Sequence, residues 1–304
     1  MTAPLRLPRL LHRRIEALAA DLLAAPGVPP VDFLRPAGEP ALVSPDSVSW
    51  HVFKNPVTLF VGGVAAVLLE LAEPRVRHGV WDHSGFRADP LRRLQRTGLA
   101  AMVTVYGAAD GARAMIAGVT RMHARVRGTT PAGVAYDALD PELLTWVQAT
   151  AAGCFLEAYL SFVRILEPAE WDRYWMESRP VAQLYGAGDA PASNGEWQEL
   201  LDRMRPRLEP SAVIDEFLGI MARVPVLPRL ARPAQRLLLK AAVSILPAGI
   251  AEQIRIDTRR WHVSEREHRL VSAMARAADR TVIRTWPAVQ ACRRLGLPDH
   301  HLYR

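Results

Sequence analysis

A chain of 304 residues, half of them hydrophobic and 23% charged, carries ample material for a large buried core and is not a disordered segment. The net charge of +7 is almost wholly arginine, because Lys54 and Lys240 are the only lysines, and the arginines are interleaved with acids throughout. That spread, without a zinc-finger, RNA-recognition or basic-zipper signature, argues against a nucleic-acid partner and leaves only weak attraction to anionic membrane surfaces open. Cys154 and Cys292 are the only cysteines, which excludes a disulfide framework and makes a reducing cytoplasm the expected compartment.

Residues 1–25 carry arginines and a leucine/alanine stripe, the pattern of a short amphipathic helix. Glu16 and Asp21 interrupt any secretory core, and no long apolar stretch follows Arg13-Arg14 as twin-arginine export needs. Residues 26–49, rich in proline and glycine, read as an arm. A buried helix is expected over 57–72, with Gly62-Gly63 near its start allowing close backbone approach. Its apolar stretch, 59–71, is too short to span a bilayer and contains Glu70. Asp89-Pro90 is a cap followed by proline at the first helical position, so a helix should run to Tyr106, where Gly107 stops it. Asp110 is expected to cap the next helix, ending at Gly128. Asp140-Pro141 should open a long helix to about Leu166, and Glu167-Pro168 another that Gly186 ends. Residues 186–195 read as a loop, and helical patterns return at 196–205, 212–222, 233–246 and 264–277. The expectation is a single all-α domain over 50–304, preceded by a helix and arm at 1–49.

Chemistry points to two of these helices. His123 falls four residues after Val119 in an apolar stripe, and Arg93 and Thr97 share a face on the preceding helix. A buried imidazole needs a partner, either a metal or a backbone carbonyl. Taken alone, the residues favour an ordinary core histidine. A buried Arg93 needs an anion, and no carboxylate stands at helical spacing before it; Thr97 is expected to point inward. The plainer alternative is that Arg93 reaches solvent and Thr97 bonds back to its own helix. His78 and His83 are five residues apart with no third ligand, which suits a structural or outer-shell role for His83 better than a metal pair. Trp171, Tyr174 and Trp175 recur at core spacing, and Glu170, Arg173 and Glu177 at the spacing of surface ion pairs. His300 and His301 are expected in a frayed tail.

The ordered set Gly62-Gly63, Glu73-Pro74, Gly79-Val80, Asp82-His83-Ser84, Asp89-Pro90-Leu91, Arg93 and Arg96-Thr97 resembles the family that groups rubber oxygenases (latex-clearing proteins) with fungal mycophenolic-acid-pathway oxygenases. The similarity continues through His123–Gly128, Asp140-Pro141, Trp146-Val147, Tyr159 and Tyr174 to Glu177, covering about residues 50 to 190. The resemblance implies an all-α bundle enclosing a haem b pocket, with dioxygen used on a small apolar, unsaturated substrate such as a terpenoid, polyketide or lipid. It implies that His123 is the axial ligand on iron, with Arg93, Arg96 and Thr97 beside the haem. Many bacterial members carry a histidine after Trp-Val where this chain has Gln148, which points to altered or lost chemistry at that position. A non-catalytic haem protein and a cofactor-free helical scaffold at a membrane surface, the latter motivated by residues 237–250, are the competing expectations.

Overall fold

A computed structural model of the chain describes residues 4–5, 8–24 and 27–303. It is all-α. Helix α1 (Arg9–Leu23) is followed by the arm, then by α2 (Val48–Phe53), α3 (Pro56–Ala72), α4 (Pro74–Trp81), α5 (Pro90–Tyr106) and α6 (Ala109–His123). A small antiparallel hairpin, β1 (Arg127–Thr129) and β2 (Ala135–Asp137), interrupts the helices with Gly128 opposite Tyr136. Then come α7 (Pro141–Phe162), α8 (Pro168–Leu184), α9 (Asn194–Met204), α10 (Ala212–Arg223) and α11 (Arg232–Ser244). The chain closes with α12 (Ile250–Gln253), α13 (Thr258–Trp261), α14 (Glu265–Asp279) and α15 (Pro287–Arg294).

Local chemistry explains most of the starts. Asn55, Glu73, Asp89 and Asp140 each accept a backbone N–H of the following turn, and proline occupies an early position behind each. Ser264 and Glu267 form a reciprocal capping box at α14. Two expected helices are corrected. The one over 110–128 stops at His123, because the chain then turns and residues 127–129 pair with 135–137. Its start is capped from outside: the Asp110 N–H donates to the Glu39 carboxylate at 2.9 Å. The one over 141–166 stops at Phe162, where the Val163 carbonyl is taken by the Arg276 guanidinium at 3.2 Å.

Helix α3 is the axis of the molecule and lies tightly along α7. Gly62 makes that possible, since a Cβ there would sit 2.8 Å from the Cys154 carbonyl and 2.8 Å from the Phe155 Cα. Both are backbone atoms and cannot step aside. Gly62→Ala is therefore expected to destabilise the fold by about 2 kcal/mol, read from the urea midpoint at unchanged m-value. A loss below about 0.5 kcal/mol would show that the helices part freely.

Behind α7, Trp146, Trp197 and Trp175 stack with ring centroids 6.1 and 5.6 Å apart, and the Tyr174 hydroxyl donates to the Ala152 carbonyl at 3.0 Å. Arg173 pairs with Glu177 at 2.6 Å, whereas Glu170 pairs instead with Arg164 at 3.1 Å. The arm contributes Phe33 and Val43 to the same core, and the Gln95 amide donates to the Asp21 carbonyl of α1 at 3.0 Å. The tail is docked rather than frayed. Leu302 and Tyr303 are buried, His301 lies 3.5 Å from Asp46, and buried Lys54 donates to the Leu302 carbonyl at 2.6 Å. Among the described residues no single helix is long and apolar enough to cross a membrane, and the apolar pair α3 and α4 is bent by 112°.

Candidate functional site

Two helical pairs meet where Glu70 of α3 and Arg93 of α5 come within electrostatic reach of each other. Helices α3 and α7 form one layer and α5 and α6 the other. Along these helices some interior side chains keep partial accessibility. On α3 these are Phe60, Gly63, Val67 and Glu70, and on α7 Gln148, Ala151, Ala152 and Phe155. Arg93, Ala101 and Thr104 of α5 and Met115, Val119 and His123 of α6 have the same half-buried character. Helical spacing puts each set on one face. The Tyr185 hydroxyl, just past the end of α8, reaches the α5 and α6 layer, 2.8 Å from the Thr104 hydroxyl and 4.0 Å from the Met115 sulfur.

Three ionisable groups interact electrostatically where the layers meet. Glu70 is enclosed by protein on the interior side of α3. Burial raises its carboxyl from the ordinary 4.5 to about 7, and the Arg93 charge offsets part of that rise. Burial in turn lowers the basicity of Arg93, with Glu70 supporting the charged form and Arg96 opposing it. His123 is lowered first by burial and then by Arg93, so its imidazole is held neutral. Its ring makes no hydrogen bond to another described residue, while its carbonyl accepts the Val126 N–H at 2.9 Å.

The carboxyl within electrostatic reach of Arg93 is Glu70 of α3, a tertiary neighbour that helical spacing could not reveal. The one signal was a lone carboxylate inside an otherwise apolar helix. Thr97 is exposed rather than turned inward. Its hydroxyl donates to the Arg93 carbonyl at 2.9 Å and accepts from the Arg93 guanidinium at 2.6 Å, so it fixes the arginine from the same helix. Arg96 is exposed nearby. His83 is drawn to the hairpin, 2.9 Å from the Tyr136 hydroxyl, and His78 pairs with Asp82 at 2.8 Å. Gln148 is half-buried in the α7 stripe, and its amide makes no hydrogen bond to another described residue. Among the described residues no three histidine, cysteine, aspartate or glutamate side chains converge as a protein-only metal site would require.

The Glu70 proton gives this site a pH signature. Native Glu70 keeps its proton up to about pH 7, while the unfolded chain releases it near 4.5. The unfolded state therefore binds fewer protons across that window, and stability falls as pH rises through it. Protein free of cofactor should lose on the order of 1–3 kcal/mol between these limits, and Glu70→Gln should flatten the profile. A wild-type profile already flat between pH 4.5 and 7, followed by urea denaturation, would disprove the assignment.

Residues 50–280 match the model of a family described as ER-bound oxygenase mpaB/B'/rubber oxygenase, catalytic domain. No curated protein and no solved structure matches the chain.

Proposed function

The chain belongs to the mpaB/B' and rubber oxygenase catalytic-domain family, and on that premise we propose that this oxygenase works with haem b held by His123. One observation carries the reading: a half-buried imidazole of lowered basicity beside Arg93, with no hydrogen-bond partner among the described residues. A neutral histidine nitrogen is the donor that haem iron takes, and the donor set supports no competing protein-only metal site. The surrounding residues fit a porphyrin. Phe60, Val67, Met115 and Val119 offer apolar walls, and exposed Arg96 offers a cation for a porphyrin carboxylate.

Bound haem would supply the activation of dioxygen and its delivery to an apolar, unsaturated substrate, with cleavage of a carbon–carbon double bond as the reaction class. The chain's own residues shape that chemistry. Arg93, held by Thr97 at 2.6 Å, would present a positive charge toward a haem slot between the two layers, with Glu70 supporting its charged form. Because Glu70 changes protonation near neutrality, it can hold or yield a proton at its carboxyl oxygen beside Arg93. The apolar stripes exclude water and suit a terpenoid, polyketide or lipid chain. Gln148 offers the slot a donor and an acceptor but no titratable nitrogen, so it can orient a ligand without moving protons. Cys154 and Cys292 are both buried and unpaired, which suits a reducing cytoplasm.

The test is the absorption spectrum of protein produced with ample haem, followed by oxygen uptake on a panel of isoprenoid alkenes. The expected result is a Soret band at one haem per chain and uptake with at least one alkene. No Soret band would overturn the reading.

A further inference from the structure

We propose that the turn at Arg229–Ala231 and the outward face of α11 form a docking surface for an anionic lipid bilayer. Leu230 is 98% exposed, the most exposed large hydrophobic side chain among the described residues. It stands between Arg229 and Arg232, at a surface groove of about 530 Å³ that Arg236 and Lys240 also line. Arg232, Arg236 and Lys240 are four residues apart, so they form one row along the helix, while Leu238, Leu239 and Ala242 are buried in the core.

The arginine charge of this surface is uncompensated. Among the described residues, Arg229, Arg232 and Arg236 form no ion pair, and the acid in the groove, Glu267, is taken by Lys240 at 2.6 Å and by the α14 cap. The leucine is also presented by a built support. Buried Gln235 donates to the Met221 and Val224 carbonyls at 2.7 and 2.8 Å and accepts the Leu227 N–H at 3.2 Å. The Ala231 N–H closes the turn on the Pro228 carbonyl at 2.8 Å. The polar core of the loop is satisfied inside, and its apolar tip points out.

A bilayer is the partner that matches both halves of this pattern. Arginines at headgroup level bind lipid phosphates while a leucine enters the acyl boundary. A free phosphate gives the leucine nothing, and single-stranded nucleic acid would call for stacking aromatics, which the groove lacks. The surface is independent of the cofactor.

The experiment sediments the full-length purified protein with phosphatidylcholine vesicles, with and without phosphatidylglycerol. Binding is expected only to vesicles containing phosphatidylglycerol, and it should be lost at high salt. Each of Arg229→Gln, Arg232→Gln and Arg236→Gln should weaken it about fivefold, and the triple variant roughly a hundredfold. Leu230→Ser should weaken it about tenfold. Arg113→Gln with Arg121→Gln, exposed cations of α6, should leave it unchanged. All these side chains are exposed, and far-UV circular dichroism checks that each variant is folded. Equal loss in the α6 variant would assign binding to net charge and overturn the proposal. So would an unchanged Leu230→Ser, displacement by soluble glycerophosphate, or preference for a single-stranded oligonucleotide over vesicles.

Discussion

Replacing His123 with alanine is expected to abolish stoichiometric haem binding while leaving the helices intact. The reasoning rests on what the imidazole lacks. Its ring makes no hydrogen bond to another described residue, so removing it orphans no buried donor or acceptor. Helix α6 ends at this residue, so alanine costs nothing in propensity and relieves a partly desolvated ring. The expected outcome is a far-UV spectrum and urea midpoint within about 0.5 kcal/mol of wild type. Haem affinity should fall by at least about a hundredfold, since even outer-shell partners of a metal-bound histidine contribute ten- to a hundredfold. Added imidazole should restore part of the Soret absorbance by entering the space vacated. Wild-type haem occupancy in the variant would move the axial ligand elsewhere and remove the basis for the proposed function.

The second large effect belongs to stability. Lys54 is 4% exposed and places its ammonium 3.2 Å from the Asp279 carboxylate and 4.5 Å from the centre of the Tyr303 ring. It also donates to the backbone carbonyls of Asp279 and Leu302, at 3.0 and 2.6 Å. Burial lowers the pKa of Lys54 and raises that of Asp279, and each charge is upheld chiefly by the other. Lys54→Ala leaves Asp279 buried beside a void and two carbonyls without their donor. The expected cost is about 3–5 kcal/mol, measured by urea denaturation, with Tm lowered by roughly 5–10 °C. The double variant Lys54→Met, Asp279→Leu should recover much of the loss, because apolar residues of similar volume carry no desolvation penalty. A single-variant loss under about 1 kcal/mol would mean that water reaches the pair.

Legibility in the sequence followed the range of the forces. The starts of α5, α7 and α8 were readable at Asp89-Pro90, Asp140-Pro141 and Glu167-Pro168 because a cap and a proline act within one turn. Glu73-Pro74 carries the same signal for α4, but eight residues show too little periodicity to register beside α3. The end of α6 was hidden, because Val126 looks helical until residues 127–129 find 135–137 across the hairpin. In the site, Arg93 and Thr97 were legible as an i, i+4 pair. The meeting of Arg93 with both Glu70 and His123 was not, since it joins three helices and depends on how α3 and α5 are spaced. The docked tail escaped for the same reason: the residue that holds it lies 248 positions upstream of Leu302.

That long-range clasp also sets an order of events during synthesis. Lys54 emerges from the ribosome well before its acceptors at Asp279 and Leu302, which follow 225 and 248 positions later. Until those acceptors are made, the corner between α2 and α3 lacks the partners that let Lys54 be buried, so it stays open and solvated while the helices between them are already being formed.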